Sequence, residues 1–449
     1  MARLVAIGDS LTQGFQSLAI SKTHLSYPAM IAECMGISVS EFRVPNFLGM
    51  GGFPLNIETL ARKLEEKYGH NINMFEWPLA IDAVLDYIDD VEDYWERGKG
   101  SQVTQNTSFH NLAVWGFEVA DAYNITAEYC SGKIKDPKDN WFQPPSEARL
   151  RTAYRVLNPA QLSTREQDSQ VRIAQRISQE EGIDNLIVWL GANNCLGTVI
   201  SLKVIETGPE PPGVKTDYTL WHPEAFRKEY EELANYINMI NAQNVYVATV
   251  PHVTIPPITR GVMKDRGHLP RGDKYFDFYT HFYIQDKNFK ESRDPHLTGE
   301  QAKQIDTYID EYNNIIKRCA ESNGWHVVDT CMVLDQLAVR RNYGKPGYSL
   351  DPAISDLSVR FFEIGQSGNL KNGGIISLDG VHPTTCGYGI VAQEFINVMK
   401  KQNPGIRDID FEEVRYWDSL VTNPPKTLDD VFGMLKTLEK YFHISRLYK

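Results

Sequence analysis

The chain has 449 residues, ample for a large buried core, and its 58 acidic against 46 basic side chains give a formal charge of −12. That balance excludes partners held through a basic surface, nucleic acid above all, and no apolar run approaches the length needed to span a bilayer. The six cysteines are scattered, with no C-x-x-C and no paired Cys/His spacing, which favours free thiols over a disulfide framework or a zinc site.

In chain order, the first element is the apolar run 4–7, a short buried strand that ends in Gly8-Asp9-Ser10. A serine placed there stands at the C-terminal edge of a sheet, where the N–H groups of the next helix can face a developing negative charge. The motif begins within a few residues of Met1 and leaves no stretch for a leader ahead of it, so a cytoplasmic protein is expected. Residues 15–105 are too long for one crossover and carry helical patterns of their own at 57–68 and 79–94. A second strand is expected at 112–115. Thr164-Arg165-Glu166-Gln167 reads as a capping box that opens a helix toward Glu181, with Gly182 as its stop. Apolar runs at 185–190, 244–250 and 325–328 supply three more strands. Between them fall a helix over 223–243 and another that starts at a second capping box, Thr298-Gly299-Glu300-Gln301, and stops near Gly324. Strands alternating with helices predict an α/β fold, a parallel sheet with helices on both faces.

Residues 253–297 and 340–374 break this alternation and read, like 15–105, as insertions above or beside the sheet. The first is rich in aromatics (Tyr275, Phe276, Phe278, Tyr279, Phe282, Tyr283). It reads either as a substrate-facing lid or as a packed excursion whose aromatics are core. Residues 404–449 form a C-terminal helical extension, in which Leu428, Val431, Phe432, Leu435, Leu438 and Phe442 make a stripe at helical spacing. A length of roughly 150 residues per domain suggests about three domains. If a site draws on both Ser10 and His382, however, the chain must return to its starting sheet, which makes 1–449 one domain with insertions.

A serine hydroxyl is a poor nucleophile until a base takes its proton. Asp379-Gly380-Val381-His382-Pro383 offers the partners: His382 as the base, and Asp379, three residues earlier on the same loop, to accept its Nδ1–H and fix the tautomer. The oxyanion of a tetrahedral intermediate needs donors, each worth ~3 kcal/mol. The Ser10 N–H is one. The strand at 112–115 runs into Gly116, and the strand at 185–190 runs into Gly191-Ala192-Asn193-Asn194, which bring a further N–H and a side-chain amide. His252 and His296 read as loop histidines. There is no G-x-S-x-G elbow, P-loop, H-E-x-x-H or spaced dinucleotide fingerprint.

These four blocks, in this order, resemble the SGNH (GDSL-type) hydrolases: Gly8-Asp9-Ser10-Leu11-Thr12, then Asn111 to Gly116, then Gly191 to Asn194, then Asp379 to Pro383. The resemblance implies a flavodoxin-like three-layer α/β/α fold with a parallel sheet and an acyl transfer that uses no metal or other cofactor. It makes Ser10 the nucleophile, His382 the general base and Asp379 its orienter, with Ser10 N–H, Gly116 N–H and the Asn193 amide as the oxyanion hole. Asn194 departs from the Asp that usually ends the third block. Asn46 to Gly51 repeats the Asn-to-Gly spacing of the second block, so Gly51 is an alternative to Gly116. The implied partner is a small-molecule ester. Acyl transfer to another acceptor, deacetylation of a carbohydrate, and a silent binding protein on the same fold are the competing readings.

Overall fold

The computed structural model describes residues 3–426, apart from 53–54, 70–71, 73–74, 135–144, 215–216, 265–273, 283, 285, 340–341, 343–345, 360–362 and 365–369. The expected helical stripe beyond Leu428 lies outside the described residues. Four parallel strands form the central sheet: β1 (Val5–Gly8), β2 (Asn185–Trp189), β3 (Asn244–Ala248) and, after three strands of a separate sheet, β7 (His326–Val328). Their order is β1-β2-β3-β7, with Ile7 opposite Val188, Val188 opposite Val247, and Val247 opposite Val327. The expected strand at 112–115 runs beside the free edge of β1: Leu112 N donates to Ala6 O at 2.8 Å and Val114 N to Gly8 O at 3.1 Å. With it, the order becomes 2-1-3-4-5, the flavodoxin-like doubly wound arrangement.

Side chains alternate across a strand, so a sheet covered on both faces needs apolar residues at every position. Val5, Ile7, Leu186, Val188, Val245 and Val247 enter one core, together with the inner faces of helices Gln170–Glu180, Pro223–Asn238 and Gly299–Asn323. Leu4, Ala6, Ile187, Trp189, Tyr246 and Ala248 enter the other, against helices Tyr27–Cys34, Thr330–Leu337 and Thr385–Met399. The result is three layers.

The second capping box forms as expected. Thr298 accepts from Gln301 N, Gln301 returns to the Thr298 N–H, and Gly324 ends the helix with φ of 71°. The first does not. Ser163–Arg165 is a 3-10 turn, and the helix begins only at Gln170, capped by Ser169. The Gln167 side chain, which would have to reach back to the Thr164 N–H, donates instead to the Glu128 carboxylate. The helix expected over 223–243 stops at Asn238, five residues early, before Asn241 turns left-handed.

Residues 253–297 build a small antiparallel sheet of β4 (Thr259–Val262), β5 (Phe278–His281) and β6 (His296–Thr298). Phe278 and Tyr279 are buried there and Tyr275 and Phe276 half-buried, which is the packed excursion; Tyr283 lies outside the described residues. A short antiparallel pair, β8 (Glu363–Ile364) and β9 (Leu370–Asn372), falls in the 340–374 stretch. Among the described residues, no helix is long and apolar enough to cross a membrane.

Candidate active site

β1 delivers Ser10 because the chain turns at once from strand to helix. At Gly8 a Cβ would stand 2.2 Å from Thr12 Oγ1 and 2.9 Å from Trp189 O, so only glycine lets the turn close this tightly. Asp9 caps the short helix Ser10–Gln13 by accepting from Leu11 N at 3.0 Å.

The loop that follows Ile376 comes back to this edge from the far end of the sequence. Asp379 Oδ1 accepts from Val381 N and His382 N, which folds the loop around its own carboxylate. Asp379 Oδ2 lies 3.1 Å from His382 Nδ1, and His382 Nε2 lies 2.9 Å from Ser10 Oγ. All three side chains are buried, and the Phe15 ring packs on the imidazole with centroids 4.5 Å apart. Hydroxyl, imidazole and carboxylate thus form one hydrogen-bonded chain, the arrangement in which a base can relieve a hydroxyl of its proton. Burial works against the Asp379 charge, but the His382 charge and the hydrogen bonds from His382 and Val381 overcome it and hold the carboxyl below its usual range.

Two residues after the nucleophile turn hold this loop in place. Ser17 and Leu18 both adopt left-handed backbone, at φ of 55° and 60°, a costly conformation for side chains of this kind. In it, Ser17 N donates to Ser377 Oγ at 2.9 Å and Leu18 N to Asp379 Oδ2 at 3.1 Å.

Gly116 lies just beyond the segment paired with β1, with φ of 75°, and a Cβ there would meet Arg149 Cδ at 3.0 Å. Arg149 also donates to Gly116 O at 3.0 Å. Gly51 lies in a 3-10 turn packed against Phe47 and Tyr94. Asn193 opens the helix after β2, and its Nδ2 donates to Phe117 O at 2.9 Å and to Asp9 Oδ2 at 3.3 Å. The structure therefore brings Ser10, Asp379 and His382 into direct contact, ties Asn193 to the residue before Ser10, and puts Gly116 on the neighbouring strand end.

Three side chains that support this edge carried no signal in the sequence. Gln170 Nε2 donates to both Gly8 O and Leu112 O at 2.8 Å, pinning the ends of two strands together. Gln13 Oε1 accepts from Trp115 N, and Arg149 holds Gly116. Each contact is made across a long sequence separation by an ordinary helical glutamine or arginine, and no local pattern marks such residues.

Burial pushes the Asp9 carboxyl up to about 7, an effect only partly offset by its bond from Leu11 N and by the His382 charge. A carboxyl raised from 3.8 on folding holds its proton better folded than unfolded. Its contribution to stability is therefore whole below about pH 4 and lost as pH climbs to about 7. Relative to Asp9→Asn, which keeps an acceptor for Leu11 N without titrating, the wild type is expected to lose urea resistance over that interval. A gap between the two midpoints that does not change with pH would refute this.

An apolar cavity of about 100 Å³ opens on Ser10 Oγ and His382, with Leu11, Leu196, Val253, Leu337, Ile376 and Ile390 among its walls. None of the aromatics of β5 lines it.

The sheet is doubly wound, and this hydrogen-bonded chain lies at its C-terminal edge, where open α/β sheets hold their sites. Residues 4–395 match the family described as GDSL-like Lipase/Acylhydrolase, and the chain belongs to that family. Comparison with curated proteins gives no match.

Proposed function

We propose that the chain is a carboxylic ester hydrolase that works through an acyl-enzyme on Ser10. Ser10 Oγ attacks the ester carbonyl carbon while His382 Nε2 takes the hydroxyl proton. Asp379, facing Nδ1, keeps the imidazole in the useful tautomer and stabilises the imidazolium that forms. The oxyanion is met by the Ser10 N–H, the Gly116 N–H and Asn193 Nδ2, the last by giving up its long contact to Asp9. His382 then protonates the departing alkoxide, which leaves as the alcohol. In the second half, water attacks the acyl carbon, its proton passes to His382, and that proton returns to Ser10 Oγ as the acid leaves.

The observation that carries this reading is the chain from Ser10 Oγ through His382 to Asp379, opening on an apolar cavity. The cavity supports an apolar acyl group over a sugar as the part bound beside Ser10. At about 100 Å³ it is small beside the roughly 300–1,000 Å³ of a site for a drug-sized ligand, which suits a short to medium chain. Hydrolysis of a p-nitrophenyl ester ladder, acetate through palmitate, tests this: kcat/KM is expected to rise to a maximum at short to medium chains and fall at palmitate. No turnover anywhere on the ladder, with the protein folded, would overturn the reading, and a maximum at palmitate would overturn the chain length.

A further inference from the structure

A second cluster of reactive side chains lies on the same sheet edge, beyond β3 and β7, and plays no part in the chemistry above. Cys331 and Asp335 are one turn apart on helix Thr330–Leu337 and so share a face. His252, from the loop after β3, meets them there: its Nδ1 is 3.4 Å from Cys331 Sγ and 2.9 Å from Asp335 Oδ1. One donor atom from each of the three side chains lies within 4.8 Å of the other two, with His252 and Cys331 buried.

We infer that His252 Nδ1, Cys331 Sγ and Asp335 Oδ1 form a binding site for a divalent transition-metal ion of the zinc type. Thiolate, imidazole and carboxylate together are the donor set of a borderline-soft ion. Bonds of about 2.3 Å to sulfur and about 2.0 Å to nitrogen in a tetrahedral site put those donors about 3.5 Å apart, close to the spacing found here.

Two independent observations point the same way. The other imidazole nitrogen, His252 Nε2, faces Asp310 Oδ1 at 3.2 Å, the carboxylate partner that a metal-binding histidine ordinarily has and that fixes its ring and tautomer. The cluster also opens on a cavity of about 530 Å³, which gives an ion a way in and a water a place at the fourth position. Charged side chains around that cavity are Asp310, Asp329 and Asp335 against Lys274 and Lys317, an excess of negative charge once His252 binds as the neutral imidazole. Cys331 binds as the thiolate and gives up its proton to solvent. The ion would clamp the 249–256 loop to helix Thr330–Leu337. The apolar cavity at Ser10 uses Pro251 and Val253 of that loop and the Val333, Leu334 and Leu337 face of that helix, so the clamp would brace one wall of it.

The test is titration of chelator-treated, metal-free protein with Co²⁺. Saturation at one equivalent is expected, with a near-ultraviolet thiolate-to-cobalt charge-transfer band and the visible bands of a tetrahedral ion, and Zn²⁺ should displace them. Cys331→Ser should lose the charge-transfer band. Asp310→Asn, at an exposed side chain that leaves folding intact, should keep the band and bind about 10–100-fold more weakly. Ser10→Ala should bind as the wild type does, which separates this site from the esterase reading. The inference is overturned if the folded wild type gives no saturable band, or if folded Cys331→Ser gives the same one. His252 would then be an imidazolium shared between two carboxylates.

Discussion

Replacing Ser10 by alanine is expected to lower kcat for a p-nitrophenyl ester by about 10⁶-fold, to the level left by binding and the oxyanion donors alone. The substitution removes one oxygen and nothing else. Asp9 still caps the helix through its own carboxylate, Gly8 still closes the turn, and Asp379 keeps all of its donors. The fold loses one hydrogen bond, Ser10 to His382, so stability should change by no more than about 1 kcal/mol. Reaction with a fluorophosphonate should vanish with turnover, since both require the same oxygen. A pure Ser10→Ala preparation that retains full activity would end the assignment of Ser10.

Asp379→Asn should be the next most damaging change, and it should act in two ways at once. The carboxylate receives Val381 N and His382 N on one oxygen and Leu18 N on the other, beside His382 Nδ1. An amide has one acceptor oxygen. Whichever way it is turned, its NH2 points at N–H groups that formerly donated to an oxygen. In one orientation Nδ1 of His382 faces a donor, which stabilises the wrong tautomer and costs about 10⁴-fold in kcat. In the other, the turn of the 379–382 loop loses two bonds, each buried donor left unmet costing ~1–3 kcal/mol. The measurement is kcat beside the urea midpoint of the same preparation. Both should fall. Near wild-type activity would show that Asp379 holds the loop but does not orient the base.

Ser10, Asp379 and His382 were legible in the sequence because each motif is local. A strand that ends in Gly-Asp-Ser declares its turn, and Asp-x-x-His spans one loop. The strands of the central sheet followed from apolar runs, since a sheet covered on both faces leaves little room for polar residues, while their flavodoxin-like order was implied only by the family resemblance. The Thr164 box misled for a definite reason: a capping box is a claim about where its fourth side chain reaches, and Gln167 reaches to Glu128. Gln13, Gln170 and Arg149 were illegible because their roles exist only after folding, when strand ends 58 to 162 positions away arrive beside Gln170. His252 and Cys331 were hidden in the same way. They stand 79 residues apart, and only the parallel pairing of β3 with β7 brings their loops together.

The bonds from Ser17 and Leu18 to Ser377 and Asp379 cross 360 and 361 positions of sequence. Because a chain is made from its N-terminus, the nucleophile is finished long before the groups that activate it exist. Pairing of β1 with β2 can set Ser10 on the sheet edge once residue 189 is out, yet without the 377–382 loop its hydroxyl has no base and remains as inert as a serine in water. On the proposed mechanism, reactivity thus arrives only with the 377–382 loop. On that mechanism a chain released before the 377–382 loop carries a serine that cannot attack the esters around it, and activity certifies that the chain has been made through that loop and has folded it back onto Ser10.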